Sequence, residues 1–223
     1  MVKINLNNKQ EADIFYNKNK NVYQKLSSKK NLNLKNRLIL SKICMNMGFI
    51  NEARNNIDES IKLYSKSFEL NRCFRSSYSL GMIYYNQKKY DLALKYLFES
   101  SIFNNESAFF SIAKIYYIKK DFKKCEFFLN KSAELGDEEA VFILAKYYYN
   151  IKKYHKSLNL AIKLIDNDIE ELRNQSILIL ILINCQFKNK EKCVYYHEKL
   201  DDKFKKQSEK IIKSFNGEFF DFN

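Results

Sequence analysis

Proline and tryptophan are absent from this 223-residue chain, and glycine occurs only four times. Without proline there can be no polyproline or proline-rich linker segment. So few turn formers also argue against β-architectures, whose many short strands need Gly- and Pro-rich connections. Five cysteines are present, Cys44, Cys73, Cys125, Cys185 and Cys193. Their number is odd and no C-x-x-C occurs, so the spacing supports neither a zinc site nor a disulfide framework. Reduced thiols in an intracellular protein fit best. The first eight residues, Met1 to Asn8, hold no apolar core of signal-peptide length. The longest apolar run, Ile177–Ile183, falls far short of the roughly 20 residues that span a bilayer. It predicts a buried helix, and the expected location is cytoplasmic.

What remains is a chain able to build a core: 46 % of its residues are hydrophobic and 29 % charged. The formal net charge is +13. The only arginines are Arg37, Arg54, Arg72, Arg75 and Arg173, so the basicity is almost all lysine. It is also uneven, because residues 1–40 hold nine basic and two acidic residues. Within that arm, Asn17-Lys18-Asn19-Lys20-Asn21 and Ser27-Ser28-Lys29-Lys30-Asn31 read as polar on every face. They predict a peripheral segment. Lys-, Asn-, Ile-, Tyr- and Phe-rich composition is what an AT-rich coding background produces. The competing reading is that the arm contacts phosphates without reading sequence. It lacks aromatic residues interleaved in a recognisable motif, and bidentate recognition favours Arg over Lys.

A fixed period organises the rest. Leu80-Gly81-Met82-Ile83-Tyr84-Tyr85 is echoed at Ile112-Ala113-Lys114-Ile115-Tyr116-Tyr117 and at Leu144-Ala145-Lys146-Tyr147-Tyr148-Tyr149. The small residues Gly81, Ala113 and Ala145 stand 32 residues apart. So do Tyr90, Phe122 and Tyr154, then Ala93, Cys125 and Ser157, then Leu97, Leu129 and Ala161. Each unit reads as two amphipathic helices with apolar residues three and four apart. Tyr116 and Leu129 are candidate core positions. Leu135-Gly136-Asp137 supplies a left-handed stop followed by an N-cap, with Glu138 and Glu139 in the next first turn. Lys88, Lys120 and Lys152 lie in register near the end of each first helix, where a cation complements the helix dipole. The start is ambiguous. A shift of 33 maps Gly81 onto Gly48, yet Gly48–Ala53 also reads as a turn between helices. The Ile/Leu run falls on the first helix of a last unit, Glu170–Gln186 followed by Lys190–Leu200. Asp202–Phe215 reads as a polar capping helix of the kind solenoids need.

The pattern Phe109-x-x-Ile112-Ala113-x-x-Tyr116, then Cys125-x-x-x-Leu129, resembles the tetratricopeptide repeat. Ile57–Leu70 is similar to that family's second helix, and Lys131–Ala140 resembles the junction of Sel-one-like repeats. The chain departs from the family in lacking its Trp and terminal Pro and in its period of 32. The resemblance covers about residues 41–203. It implies an all-α, right-handed α-solenoid of about five antiparallel helix pairs. The expected organisation is a basic N-terminal arm or capping helix at 1–34, repeats at 35–203, and a capping helix with an aromatic tail at 204–223.

No catalytic, cofactor-binding or metal constellation is expected. His155 and His197 fall on second helices amid lysines and tyrosines, and no Gly-rich phosphate loop or H-E-x-x-H occurs. The resemblance implies instead a non-enzymatic protein-interaction scaffold that holds a peptide in the groove lined by the first helices. The groove columns carried onto this chain are Tyr78, Phe110 and Phe142, then Met82, Lys114 and Lys146, then Tyr85, Tyr117 and Tyr149. Ser79 and Met82 occupy positions where the family's carboxylate clamp wants Asn. The expected partner is a protein segment with apolar anchors and acidic neighbours. The chain's own Glu218-Phe219-Phe220-Asp221-Phe222 has that composition. Nucleic acid or another anionic surface, bound through the arm, is the alternative.

Overall fold

A computed structural model describes residues 9–215. Among them there are twelve helices and no strand. In chain order these are α1 Lys9–Ser27, α2 Leu34–Ala53, α3 Ile57–Asn71, α4 Phe74–Asn86, α5 Tyr90–Ser101 and α6 Glu106–Ile118. They continue as α7 Phe122–Glu134, α8 Glu138–Asn150, α9 Tyr154–Ile162, α10 Glu170–Gln186, α11 Lys190–Glu198 and α12 Asp202–Ser214. The chain forms two compact units, Met1–Cys125 and Glu126–Asn223. The aromatic tail at 218–222 lies outside the described residues.

Consecutive helices pack as pairs: α2 on α3 and α4 on α5 in the first unit, α8 on α9 and α10 on α11 in the second. Each intra-pair turn closes in the same way. The second residue after the helix is left-handed, at Asn55, Lys88, Lys120, Lys152 and Lys188, with φ of 61°, 59°, 59°, 60° and 55°. The next amide then reaches back five residues, as Lys89 N–H does to Tyr84 C=O (2.9 Å), Asp121 to Tyr116 (2.9 Å) and Lys153 to Tyr148 (2.8 Å). This is the Schellman closure, which satisfies carbonyls that the helix end leaves open. Asn55 settles the ambiguous start. The first turn lies at 54–56 and Gly48 sits inside α2. Gly136 is left-handed at φ +95°, and Asp137 caps α8 by accepting from the Ala140 amide at 3.0 Å, as expected.

Pairs meet through complementary volumes. A Cβ on Gly81 would lie 2.6 Å from Leu97 Cγ, and one on Gly48 would lie 2.8 Å from the Tyr64 ring. Glycine is required at both for close approach. In the second unit the same column carries Ala145 opposite Ala161, both fully buried. Ser157 Oγ donates there to the Ala145 carbonyl at 2.7 Å, so the hydroxyl is satisfied inside the interface.

The N-terminal segment differs from its reading as polar on every face. Ala12 and Leu26 of α1 are buried, and Tyr16 and Tyr23 pack on the cluster of Leu40, Ile43, Cys44, Met47 and Leu63. Their spacing is helical, but Asn and Lys at the intervening positions dilute the stripe. Arg54 pairs with Asp13, and Lys66 bonds the Tyr23 hydroxyl at 2.9 Å. In the second unit, α10 buries most of the Ile177–Ile183 run. α12 covers it with Phe204 and Ile212. None of the helices described is long and apolar enough to cross a membrane.

Candidate functional site

The first helices carry the expected groove columns. On α4, Tyr78, Met82 and Tyr85 recur at four- and three-residue steps and therefore share one face; all three are half-buried. On α6, Phe110, Lys114 and Tyr117 repeat the spacing. Ser111 Oγ lies 3.3 Å from Met82 Sδ, so α4 and α6 run side by side and form a two-helix surface. The columns do not share one environment. Phe110 is buried at 7 % exposure, and Lys114 lies over it with Nζ 4.1 Å from the ring centroid. The aliphatic stem is thus held on an aromatic face while the ammonium stays at the surface. Tyr117 is 64 % exposed.

On α8 of the second unit, Phe142 and Tyr149 pack against the core cluster around α10, whereas Lys146 is exposed. Burial raises the Tyr149 phenol above its ordinary value, with Tyr154 and Cys185 adding to the effect. Phe110 therefore serves as packing, and Phe142 and Tyr149 are half-buried with one side against the core. Tyr78, Met82, Tyr85, Lys114, Tyr117 and Lys146 remain accessible.

The other candidates resolve into structural roles. Cys125 is buried in its small-residue column. Burial pushes the Cys44 thiol up to about 11, which keeps it protonated and unreactive. Cys185 and Cys193 are buried with their sulfurs 3.4 Å apart. His155 is exposed, and His197 is half-buried with Nδ1 2.6 Å from Ser208 Oγ. Among the described residues no group of three or more His, Cys, Asp or Glu could hold a metal ion.

Sequence reasoning missed the aromatic pairs at the intra-pair turns. Tyr85 meets Tyr90 (6.1 Å between centroids), Tyr117 meets Phe122 (6.0 Å) and Tyr149 meets Tyr154 (5.7 Å). Both members of each pair keep the 32-residue period, which is the signal that could have found them. A cleft of about 420 Å³ opens beside the first of these turns, lined by Lys88, Lys89, Tyr90, Asp91, Leu92 and Lys119.

Comparison with known proteins agrees with this geometry. The tetratricopeptide repeat family matches residues 74–97, the span of α4 and most of α5. No curated protein matches the chain in sequence. The C-terminal part of a TPR repeat-containing protein from Cytophaga hutchinsonii superposes with a TM-score of 0.62 at 14 % identity, covering 91 % of this chain and 98 % of that one. A Sel1 repeat protein from Oxalobacter formigenes gives 0.55 at 15 % identity, with 91 % and 87 % covered. YrrB, described as a TPR protein with an unusual peptide-binding site, gives 0.55 at 17 %, with 76 % and 92 % covered. The fold is thus an all-α helical-repeat fold of the α-solenoid class. Within that class the fold is similar to that of the tetratricopeptide and Sel1 repeat proteins above, and in sequence the tetratricopeptide repeat model matches residues 74–97.

Proposed function

We propose that this chain is a non-enzymatic interaction scaffold that binds a protein segment along the faces of its first helices. The observation that carries this reading is the surface around Lys114 in the first unit, with Lys146 its repeat counterpart in the second. They stand 32 residues apart, both are exposed, and both are flanked on the same helix faces by aromatic side chains. Such a surface offers apolar area at low entropy cost together with a preference for acidic groups. The partner is therefore a segment with apolar anchors beside Asp or Glu. The peptide-binding site named for the structurally similar YrrB lends support by analogy of fold.

The test is a display selection of random 12-residue peptides on the full chain, followed by titration of a recovered peptide. Enrichment of Asp or Glu next to apolar residues is expected. Lys114→Glu with Lys146→Glu should weaken binding at least tenfold. The melting temperature should hardly move, because exposed charges contribute little to stability. Unchanged affinity in that variant, with loss instead in Phe127→Ala on the second helix α7, would place the site elsewhere.

A further inference from the structure

The two kinds of turn differ in charge. The intra-pair turns at 86–92, 118–124, 150–156 and 186–192 carry twelve lysines and three acidic residues. The inter-pair turns at 101–107, 133–139 and 163–171 carry one lysine and nine acidic residues, while the earlier one at 71–75 carries two arginines and no acid. A uniform lysine bias of the coding background would have charged both alike. Lysine also occupies four of the five left-handed positions at intra-pair turns, Lys88, Lys120, Lys152 and Lys188. Gly or Asn adopts that conformation with less strain.

Exposed rings stand among these lysines. In the first unit Phe122 is 52 % exposed, and Lys119 closes one side of the cleft beside Lys88 and Lys89. In the second unit Phe187 is 56 % exposed. Its ring contacts Tyr154 at 5.6 Å and His155 at 6.3 Å, so the turns at 150–156 and 186–192 lie together. Each unit thus presents two adjacent lysine-rich turns around an accessible aromatic face; in the first, Lys119 pairs with Asp91 at 2.6 Å and Lys124 with Asp121 at 3.1 Å, so Lys88, Lys89, Lys120 and Lys123 carry its excess charge. Lysines neutralise phosphates as point charges, and exposed rings accept stacked bases of any sequence.

We propose that the intra-pair turn edge of each unit binds single-stranded nucleic acid without sequence preference. Phosphates lie against the lysine doublets, and bases stack on Phe122 in the first unit and Phe187 in the second. The lysine-rich arm is not required. A single strand supplies a phosphate and a flat base at every step of its backbone, whereas a protein segment would have to alternate acidic and aromatic side chains to meet the lysines and the rings at Phe122 and Phe187 together.

The experiment is fluorescence anisotropy of the full chain with labelled 16-nucleotide single strands, oligo-U and a mixed sequence, and with a duplex of equal length. Both single strands should bind alike and the duplex more weakly. Contact with four phosphates would weaken binding about 50-fold between 50 and 200 mM salt, from a slope of about 0.7 per phosphate. The variant K88N/K120N/K152N/K188N keeps residues that tolerate the left-handed turn, and it should lose at least tenfold in affinity. Phe122→Ala with Phe187→Ala should lose about fivefold or more, with an unchanged helical circular-dichroism spectrum. The charge-matched control K18Q/K20Q/K29Q/K30Q should lose less than twofold. Absence of binding at 50 mM salt overturns the proposal, as does equal loss in the control. So does tight competition by polyglutamate together with full binding by the ring variant, which would assign the edge to an acidic protein.

Discussion

The two units use the same repeat to different ends. In the first, α4 and α6 lie side by side and leave Tyr78, Met82, Tyr85, Lys114 and Tyr117 accessible. In the second, α10 packs on α8, and Phe142 and Tyr149 of α8 lie half-buried against the cluster that α10 and α12 fill. The interiors differ too. The first unit brings helices together by placing glycine against a large partner, Gly48 on Tyr64 and Gly81 on Leu97. The second carries the small residues Ala145 and Ala161 in the same columns and then fills the next pair with Ile177, Leu180, Ile181 and Ile183, all at most 1 % exposed. The residues in these two columns thus change from repeat to repeat, Gly81 with Leu97, Ala113 with Leu129 and Ala145 with Ala161, while every one of these residues stays buried, as close packing demands. Where the first-helix face is covered, the column becomes core; where it is open, the same column can meet a partner.

The largest expected effect tests the filled interior. Leu180→Ala removes a fully buried side chain from the α10 core and should cost about 2–5 kcal/mol. Chemical denaturation should show this as a lower midpoint. Next, Gly81→Ala forces a methyl against Leu97 and should destabilise by about 1–3 kcal/mol, despite alanine's better helix propensity. Adding Leu97→Ala recreates the arrangement seen at Ala145 and Ala161. The double variant should then be less destabilised than the sum of the singles, by a coupling of about 0.5–3 kcal/mol. Strict additivity would mean that a methyl at 81 and the Leu97 side chain do not compete for the same space.

Two smaller effects sharpen the contrast. At the end of the second unit, Asn174 and Arg173 hydrogen-bond the Asp201 carboxylate and hold it below the usual range. A depressed carboxyl stabilises the fold above its unfolded value, about 3.9, and that contribution is lost as pH falls through the lower folded value. Asp201→Asn should therefore lower the melting temperature at pH 7, and the gap from wild type should close below about pH 4. Smallest is Lys120→Asn, which relieves a left-handed lysine. It should leave stability equal or raise it by a few tenths of a kcal/mol. A clear loss would mean that Lys120 makes a stabilising contact the turn geometry does not require.

The period of 32, the apolar spacing within it and the Gly136-Asp137 junction were enough to specify helix pairs and their order. These are local signals: helical stripes and caps depend on residues a few positions apart. The buried fate of the Ile177–Ile183 run was legible for the same reason, since seven consecutive apolar residues have no exposed face to offer. The sequence alone left the start open, because Gly48–Ala53 carries both a turn signal and a packing signal. Only the tertiary structure decided between them, by seating Tyr64 where a Cβ on Gly48 would have to stand. It alone showed that α1 has an apolar stripe, since Ala12, Tyr16, Tyr23 and Leu26 are too sparse to stand out among Asn and Lys. It likewise separated Phe110 from Lys114, four residues apart on one face, by burying the ring and laying the ammonium over it. The lysines at 88, 120 and 152 looked like dipole complements. Their left-handed backbone came from Schellman closures. Helix formation is written in short-range pattern, whereas which member of a stripe meets solvent depends on what the neighbouring helix brings to cover it.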